Sequence, residues 1–71
     1  EEIAAQDARI YTANGSLYVE LSQPSDLKVW NFSGAMLINR DIAPGLSSYP
    51  LPAGDYLVRV GNNKVVKVMV K

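Results

Sequence analysis

Five of the seven carboxylates, six serines, one tryptophan and a set of lysines are the residues of this chain whose types could do chemistry. Asp7, Glu20, Asp26, Asp41 and Asp55 could supply a glycosidase pair or a calcium site. A glycosidase needs two carboxylates held ~5–10 Å apart in a cleft. A chain of 71 residues is expected to have no room for a cleft of the usual ~300–1,000 Å³. Calcium loops use closely alternating acids, and no Asp-x-Asp-x-Asp run occurs. Asp26, Asp41 and Asp55 each stand near a strand-like run's end, where turn chemistry accounts for them. Ser16, Ser22, Ser25, Ser33, Ser47 and Ser48 lack a partner base, because the chain contains no histidine. Cysteine is also absent, so neither thiol chemistry nor a disulfide framework is available. Gly34, Gly45, Gly54 and Gly61 are isolated turn glycines and not a phosphate-cradling loop. The expectation is therefore a non-enzymatic domain with no catalytic residue, no metal and no cofactor.

Binding remains. Trp30 is the only tryptophan, and an aromatic on an outward sheet face can stack on a sugar ring. Trp30 is thus the candidate for ligand stacking. The competing reading is that Trp30, Phe32 and Tyr56 pack in or at the edge of the core, since aromatics supply much of a small domain's buried area. Lys64, Lys67 and Lys71 lie on or beside the last strand-like run. Lysines on an edge strand commonly discourage sheet-to-sheet aggregation, and they also make a docking surface.

Seven basic and seven acidic residues cancel. A neutral chain lacks the basic footprint of a nucleic-acid binder. The charges are nevertheless segregated. Residues 1–26 hold Glu1, Glu2, Asp7, Glu20 and Asp26 against Arg9 alone, and residues 27–71 hold Lys28, Arg40, Arg59, Lys64, Lys67 and Lys71 against Asp41 and Asp55. This pattern is read as complementary solvated surfaces or as a basic patch for an acidic partner. No apolar run approaches the ~20 residues of a membrane helix. Glu1-Glu2 stands where a secretory signal needs basic residues, so the start reads as a cut from a longer protein.

Positioning these residues falls to short strands. Arg9–Ala13 is followed by Asn14-Gly15, a strong hairpin signal because both residues tolerate positive φ. Leu17, Val19 and Leu21 then alternate with Tyr18 and Glu20, the period of a half-buried strand. Gln23-Pro24-Ser25-Asp26 breaks the pattern. In 27–32, Leu27 and Val29 share one face while Lys28 and Trp30 share the other. Ser33-Gly34 turns the chain into a strand over 35–39. The stretch 42–48 reads as the longest irregular connection, of crossover length, and 49–51 as a short edge strand flanked by prolines. Tyr56, Val58 and Val60 face opposite Leu57 and Arg59, and Val66, Val68 and Val70 alternate with Lys67 and Met69. Residues 1–7 are too short for an independent helix and read as a linker, lead-in or first edge strand. The prediction is an all-β protein over 8–71: a small, immunoglobulin-like antiparallel β-sandwich of six or seven short strands.

Two motifs resemble a known family. Val29-Trp30-Asn31-Phe32-Ser33-Gly34, then Leu51-x-x-Gly54-x-Tyr56-Leu57-Val58-Arg59-Val60 and the closing run 64–71, are similar to the C-terminal sorting domains of type IX secretion cargo. They are similar also to related C-terminal sandwich domains of unknown function in the same Gram-negative bacteria. Ala35 stands where a basic residue is usual, and the family's Asn-Pro element near the start is missing. The resemblance implies a seven-stranded sandwich in a larger exported protein, located in the periplasm, at the cell surface or outside the cell. It implies recognition by secretion or surface-attachment machinery, with Gly54, Tyr56, Val58, Val60, Lys64, Lys67 and Lys71 as the sorting or interaction residues. A monomer or a weak dimer through an edge strand is expected. The alternative is an accessory glycan-binding module built on Trp30.

Overall fold

The computed structural model describes the backbone of residues 2–5 and the whole of residues 8–62 and 64–71. These residues form eight strands: β1 (Glu2–Ala5), β2 (Ala8–Ala13), β3 (Ser16–Leu21), β4 (Ser25–Asn31), β5 (Met36–Ile42), β6 (Gly45–Pro50), β7 (Gly54–Val60) and β8 (Val66–Val70). They make two four-stranded antiparallel sheets, sheet A in the order β1-β2-β3-β6 and sheet B in the order β5-β4-β7-β8. The fold is the all-β sandwich that the alternating runs predict. The expected Ser-Gly turn joins β4 to β5, and every expected strand run lies within or across an observed strand.

Alternation decides which side chains meet between the sheets. Leu17, Val19, Leu27, Val29 and Val58 are fully buried, with Ile10, Leu21, Ile42, Tyr56, Val60, Val68 and Val70 around them. These are inward positions of six strands, β2, β3, β4, β5, β7 and β8. Their burial is the main force holding the sheets together, at ~25 cal/mol per Å² of apolar surface.

Asn14 and Gly15 have φ of 52° and 75°, the positive values a type I′ turn requires. They join Ala13 and Ser16, which are directly opposite in the β2–β3 ladder. The backbone of Glu2–Ala5, in the stretch expected as linker or lead-in, pairs with β2 as an edge strand.

The irregular crossover expected over 42–48 is corrected. Only Ala43 and Pro44 lie outside strands there. Ile42 still pairs with Ser25 in sheet B, and Gly45 already pairs with Leu21 in sheet A. The chain therefore changes sheets in two residues. Pro44 has no N–H to leave unpaired at the corner, and Gly45 takes φ of 114°, a value closed to residues with a Cβ. The strand expected at 49–51 correspondingly starts at Gly45. It is an edge strand, as the prolines indicated.

The return crossing from β6 to β7 is fixed by a side chain. Tyr56 is buried, and its hydroxyl donates to the Pro52 carbonyl four residues upstream at 2.5 Å. Such tyrosine corners recur where β-sandwich strands change sheets. The Leu51 N–H also donates to the Gly15 carbonyl at 3.2 Å, tying this corner to the β2–β3 hairpin.

Candidate functional site

Register sets out what the outer face of sheet B presents. Asp26, Lys28 and Trp30 alternate with buried Leu27 and Val29 on β4. Asp55, Leu57 and Arg59 alternate with buried Tyr56, Val58 and Val60 on β7, and Lys67 and Met69 alternate with Val68 and Val70 on β8. The ladders align these residues in rows. One row runs Asn39–Lys28–Arg59 across β5, β4 and β7. The next runs Met36–Trp30–Leu57–Lys67 across all four strands. A polar, cationic row thus lies beside a mainly apolar one.

The end of β4 is shaped by Asn31. Its side-chain oxygen accepts from Ser33 N (3.1 Å), Ser33 Oγ (2.8 Å) and Ala35 N (2.9 Å). This local bonding closes the turn without other elements. The register shifts opposite Val29 and Trp30, where Leu37 is the extra residue on β5. Phe32, expected in the packing reading to lie in or at the edge of the core, is instead 67% exposed. It sits in the tight turn with no inward position to occupy, and the Lys67 ammonium lies 5.3 Å from its ring centroid. Trp30 is half-buried in the outward row, and Tyr56 belongs to the core.

The charges of this face are partly paired. Lys28 Nζ donates to Asp26 Oδ2 at 2.5 Å, and Lys67 Nζ stands 4.0 Å from Asp55 Oδ2. Arg59 lies directly opposite Lys28. Its Nε–H is buried and finds no acceptor among the described residues. The basic patch expected after residue 27 is therefore partly neutralised, with Lys28 and Lys67 held by acids.

The Lys28 hydrogen bond holds the Asp26 carboxyl below its ordinary value of 3.8, with the nearby positive charges adding to the effect. A depressed carboxylate stabilises the fold above the unfolded-state value and loses that contribution as pH falls through the folded value. Asp26→Asn is accordingly expected to flatten the acid side of the stability profile below about pH 4. Urea midpoints compared at neutral and acid pH measure this; an unchanged acid slope would contradict it.

Two grooves correct the expectation that the domain has no room for one. A space of about 600 Å³ is lined by Ser25, Asp26, Lys28, Asn39 and Asp41. Asp26 and Asp41 are cross-strand neighbours there. Asp26 is held ionised, the reverse of what a general acid requires. The second groove, about 560 Å³, lies between the Asn14-Gly15 hairpin and the end of β8, lined by Thr12, Ala13, Met69 and Lys71. Thr12 Oγ1 donates to the Met69 carbonyl across it at 2.8 Å, covering part of the β8 edge.

The seven expected interaction residues divide into two groups. Tyr56, Val58 and Val60 are buried and act only through the fold. Gly54, Lys64, Lys67 and Lys71 are exposed, the three lysines on or beside the edge strand β8. Glu20 is ion-paired with Arg9 at 3.2 Å on the outer face of sheet A, beside a Tyr11–Tyr18 stack with centroids 5.1 Å apart. Asp7 lies outside the described residues. Among the described residues no three His, Cys, Asp or Glu side chains cluster as a metal site, and no helix is long and apolar enough to cross a membrane. Sequence reasoning placed Arg59 and Lys28 only within a general basic excess after residue 27. Alternation put each on an outward face, but only the register of β4 against β7 brings them together.

The fold and these surfaces define a sandwich-like all-β domain with one mixed apolar and cationic sheet face. Comparison with known families, with curated proteins and with solved structures finds no match to this chain.

Proposed function

We propose that this domain is a non-catalytic sorting or surface-attachment module of a larger exported protein from a Gram-negative bacterium, recognised through β8. The observation that supports it is the division of β8 into two sides. Val68 and Val70 are buried and lock the strand into the core, while Lys67, Met69 and the flanking Lys64 and Lys71 are exposed. A strand at the rim of a sheet, presented on a rigid support, is a ready element for a partner to read. The partners on this reading are secretion or attachment machinery, without nucleic acid, and the protein acts in the periplasm, at the surface or beyond it.

The same lysines oppose self-association. Antiparallel pairing of two β8 strands centred on Met69 sets Lys67 against Lys71 twice, and like charges directly opposite are destabilising. The working state is a monomer, with a weak edge-to-edge dimer as the most it forms.

The test is a reporter exported to the periplasm of a bacterium with type IX secretion, fused to the intact domain. The intact fusion is expected on the cell surface, and deletion of 66–71 is expected to leave the reporter in the periplasm. Because that deletion also removes core valines, a Lys64→Glu, Lys67→Glu, Lys71→Glu fusion provides the second arm. It should keep the circular dichroism of the intact domain and lose surface display. Equal display of all three fusions would sink the reading.

A further inference from the structure

We infer that Asn14 is a spontaneous modification site, where the side-chain amide is lost through a cyclic imide with Gly15 and the hairpin tip becomes aspartate or isoaspartate. The site belongs to the β2–β3 turn and does not depend on the reading of β8 as an address.

Asn14-Gly15 is the only Asn-Gly pair in the chain. The reaction is an attack by the backbone nitrogen of the following residue on the asparagine side-chain carbon, Cγ. Glycine obstructs it least, because no side chain flanks its nitrogen. A Cβ built on Gly15 meets nothing within 4 Å, so the tip stands clear of the rest of the fold. Asn14 is exposed. Among the described residues, no hydrogen bond holds the Asn14 side chain, the Asn14 carbonyl or the Gly15 N–H.

The turn also has a route to the reactive geometry. Closing a five-membered imide brings the Gly15 nitrogen into line with Asn14 Cβ about the Cα–C bond. For an L residue this is a ψ of roughly −120°, the value at the first central position of a type II′ turn. Asn14 and Gly15, at φ of 52° and 75°, form the type I′ turn. The two turns share the first φ and differ by turning over the central peptide. That movement carries only the Asn14 carbonyl and the Gly15 N–H, the groups that nothing holds. Gly15 accepts the resulting negative φ, and Ala13 and Ser16 stay opposite each other. A residue with a side chain is strained at that first position, so the reactive form is a minor one and the reaction is slow.

Asn31 and Asn39 are held away from this geometry. The Asn31 side-chain oxygen accepts from Ser33 N, Ser33 Oγ and Ala35 N. Asn39 lies within β5, where an extended ψ turns the next nitrogen away from Cγ. Phe32 and Arg40 follow them, each with a side chain beside the attacking nitrogen.

The Gly15 nitrogen loses its proton to solvent and bonds to Asn14 Cγ. The bond from Cγ to the side-chain nitrogen breaks, and ammonia leaves. Water then opens the imide at Cγ to give aspartate, or at the main-chain carbonyl to give isoaspartate. One water enters, one ammonia departs, and nothing is oxidised or reduced.

The two products differ in what they do to the fold. Asp-Gly suits a type I′ hairpin as Asn-Gly does. Isoaspartate routes the backbone through Cβ and Cγ, which adds a carbon to the short link between directly opposed Ala13 and Ser16. That link is tied to other strands. The Gly15 carbonyl accepts from the Leu51 N–H at 3.2 Å, and nearby Thr12 donates to the Met69 carbonyl. Either product also brings a carboxylate to the groove that Asn14 and Lys71 line together.

The test incubates the purified domain in mildly alkaline buffer at physiological temperature. Peptide mass mapping and labelling by an isoaspartate-specific methyltransferase are the readouts. The peptide holding Asn14 is expected to convert about tenfold faster or more than those holding Asn31 and Asn39, with isoaspartate among its products. Asn14→Gly also suits the turn; it should stay folded by circular dichroism and take no label at this hairpin. The isoaspartate form, separated by ion exchange, is expected to melt about 4–8 °C below the unmodified domain, whereas Asn14→Asp melts with it. Conversion of Asn14 no faster than that of Asn31 and Asn39, or hairpin labelling that survives Asn14→Gly, would overturn the site. An isoaspartate form that melts with the unmodified domain would overturn its effect on the fold.

Discussion

Replacing Leu27 with alanine is expected to remove about 2–5 kcal/mol of stability. Leu27 is fully buried at the centre of sheet B, paired with Arg40 on β5 and Val60 on β7. Its removal loses the transfer energy of the side chain and leaves a cavity that paired strands on both sides cannot close. A 71-residue domain holds roughly 4–10 kcal/mol in all, at ~0.05–0.15 kcal/mol per residue. The variant therefore keeps a fraction of the native stability, and at the upper end of the loss it is mostly unfolded at room temperature. Urea denaturation followed by Trp30 fluorescence reads this directly. With a slope near 1 kcal/mol per molar urea, the midpoint falls by about 2 M or more. Leu46 is the matched comparison: it is 57% exposed on the edge strand β6, and its alanine variant is expected to shift stability by no more than ~0.5 kcal/mol. Equal shifts for the two leucines would mean that the core does not lie where the alternation puts it.

That comparison also marks how far the sequence is legible. Period-two alternation separates Leu17 from Tyr18, Val29 from Trp30 and Val58 from Arg59 without any structure, because successive side chains on a strand must point to opposite faces. Asn14-Gly15 names its own turn, since few residues tolerate positive φ twice in succession. What alternation lacks is register. It says that Arg59 and Lys28 each point outward, but not that they are opposite each other, because pairing depends on which strands become neighbours. Sheet order is a long-range property, and β4 meets β7 across two intervening strands. The same limit explains 42–48. Gly, Pro and Ser in that stretch look like a loop by local propensity, yet Gly45–Pro50 is drawn into sheet A by pairing with β3. Phe32 fails for a related reason: a large aromatic suggests burial, but the Asn31 turn closes so tightly that residue 32 has only solvent and the Lys67 side chain to face.

Tyr56 joins fold and surface, and its two substitutions are expected to separate its two contributions. Tyr56→Phe keeps the buried ring and removes the hydroxyl that donates to the Pro52 carbonyl. Pro52 is exposed, so its carbonyl can turn to water, and the loss is that of an ordinary hydrogen bond, about 0.5–1.5 kcal/mol. For a domain of this size each kcal/mol lowers the thermal midpoint by roughly 4–8 °C. Tyr56→Ala removes the ring as well, at about 3–5 kcal/mol, a large share of the whole stability. Tyr56 is cross-strand to Asn31 on one side and Val68 on the other. Loosening it therefore releases both the turn that holds Phe32 and the strand that carries Lys67. Thermal melts of the two variants give the stability ranking, and hydrogen exchange in β8 gives the local effect. The expected result is a folded Tyr56→Phe protein whose β8 amides exchange faster than those of β3, because β8 is the edge strand nearest the weakened corner. A phenylalanine variant with an unchanged melting temperature and unchanged β8 protection would show that the hydroxyl is incidental and that the ring alone holds the corner.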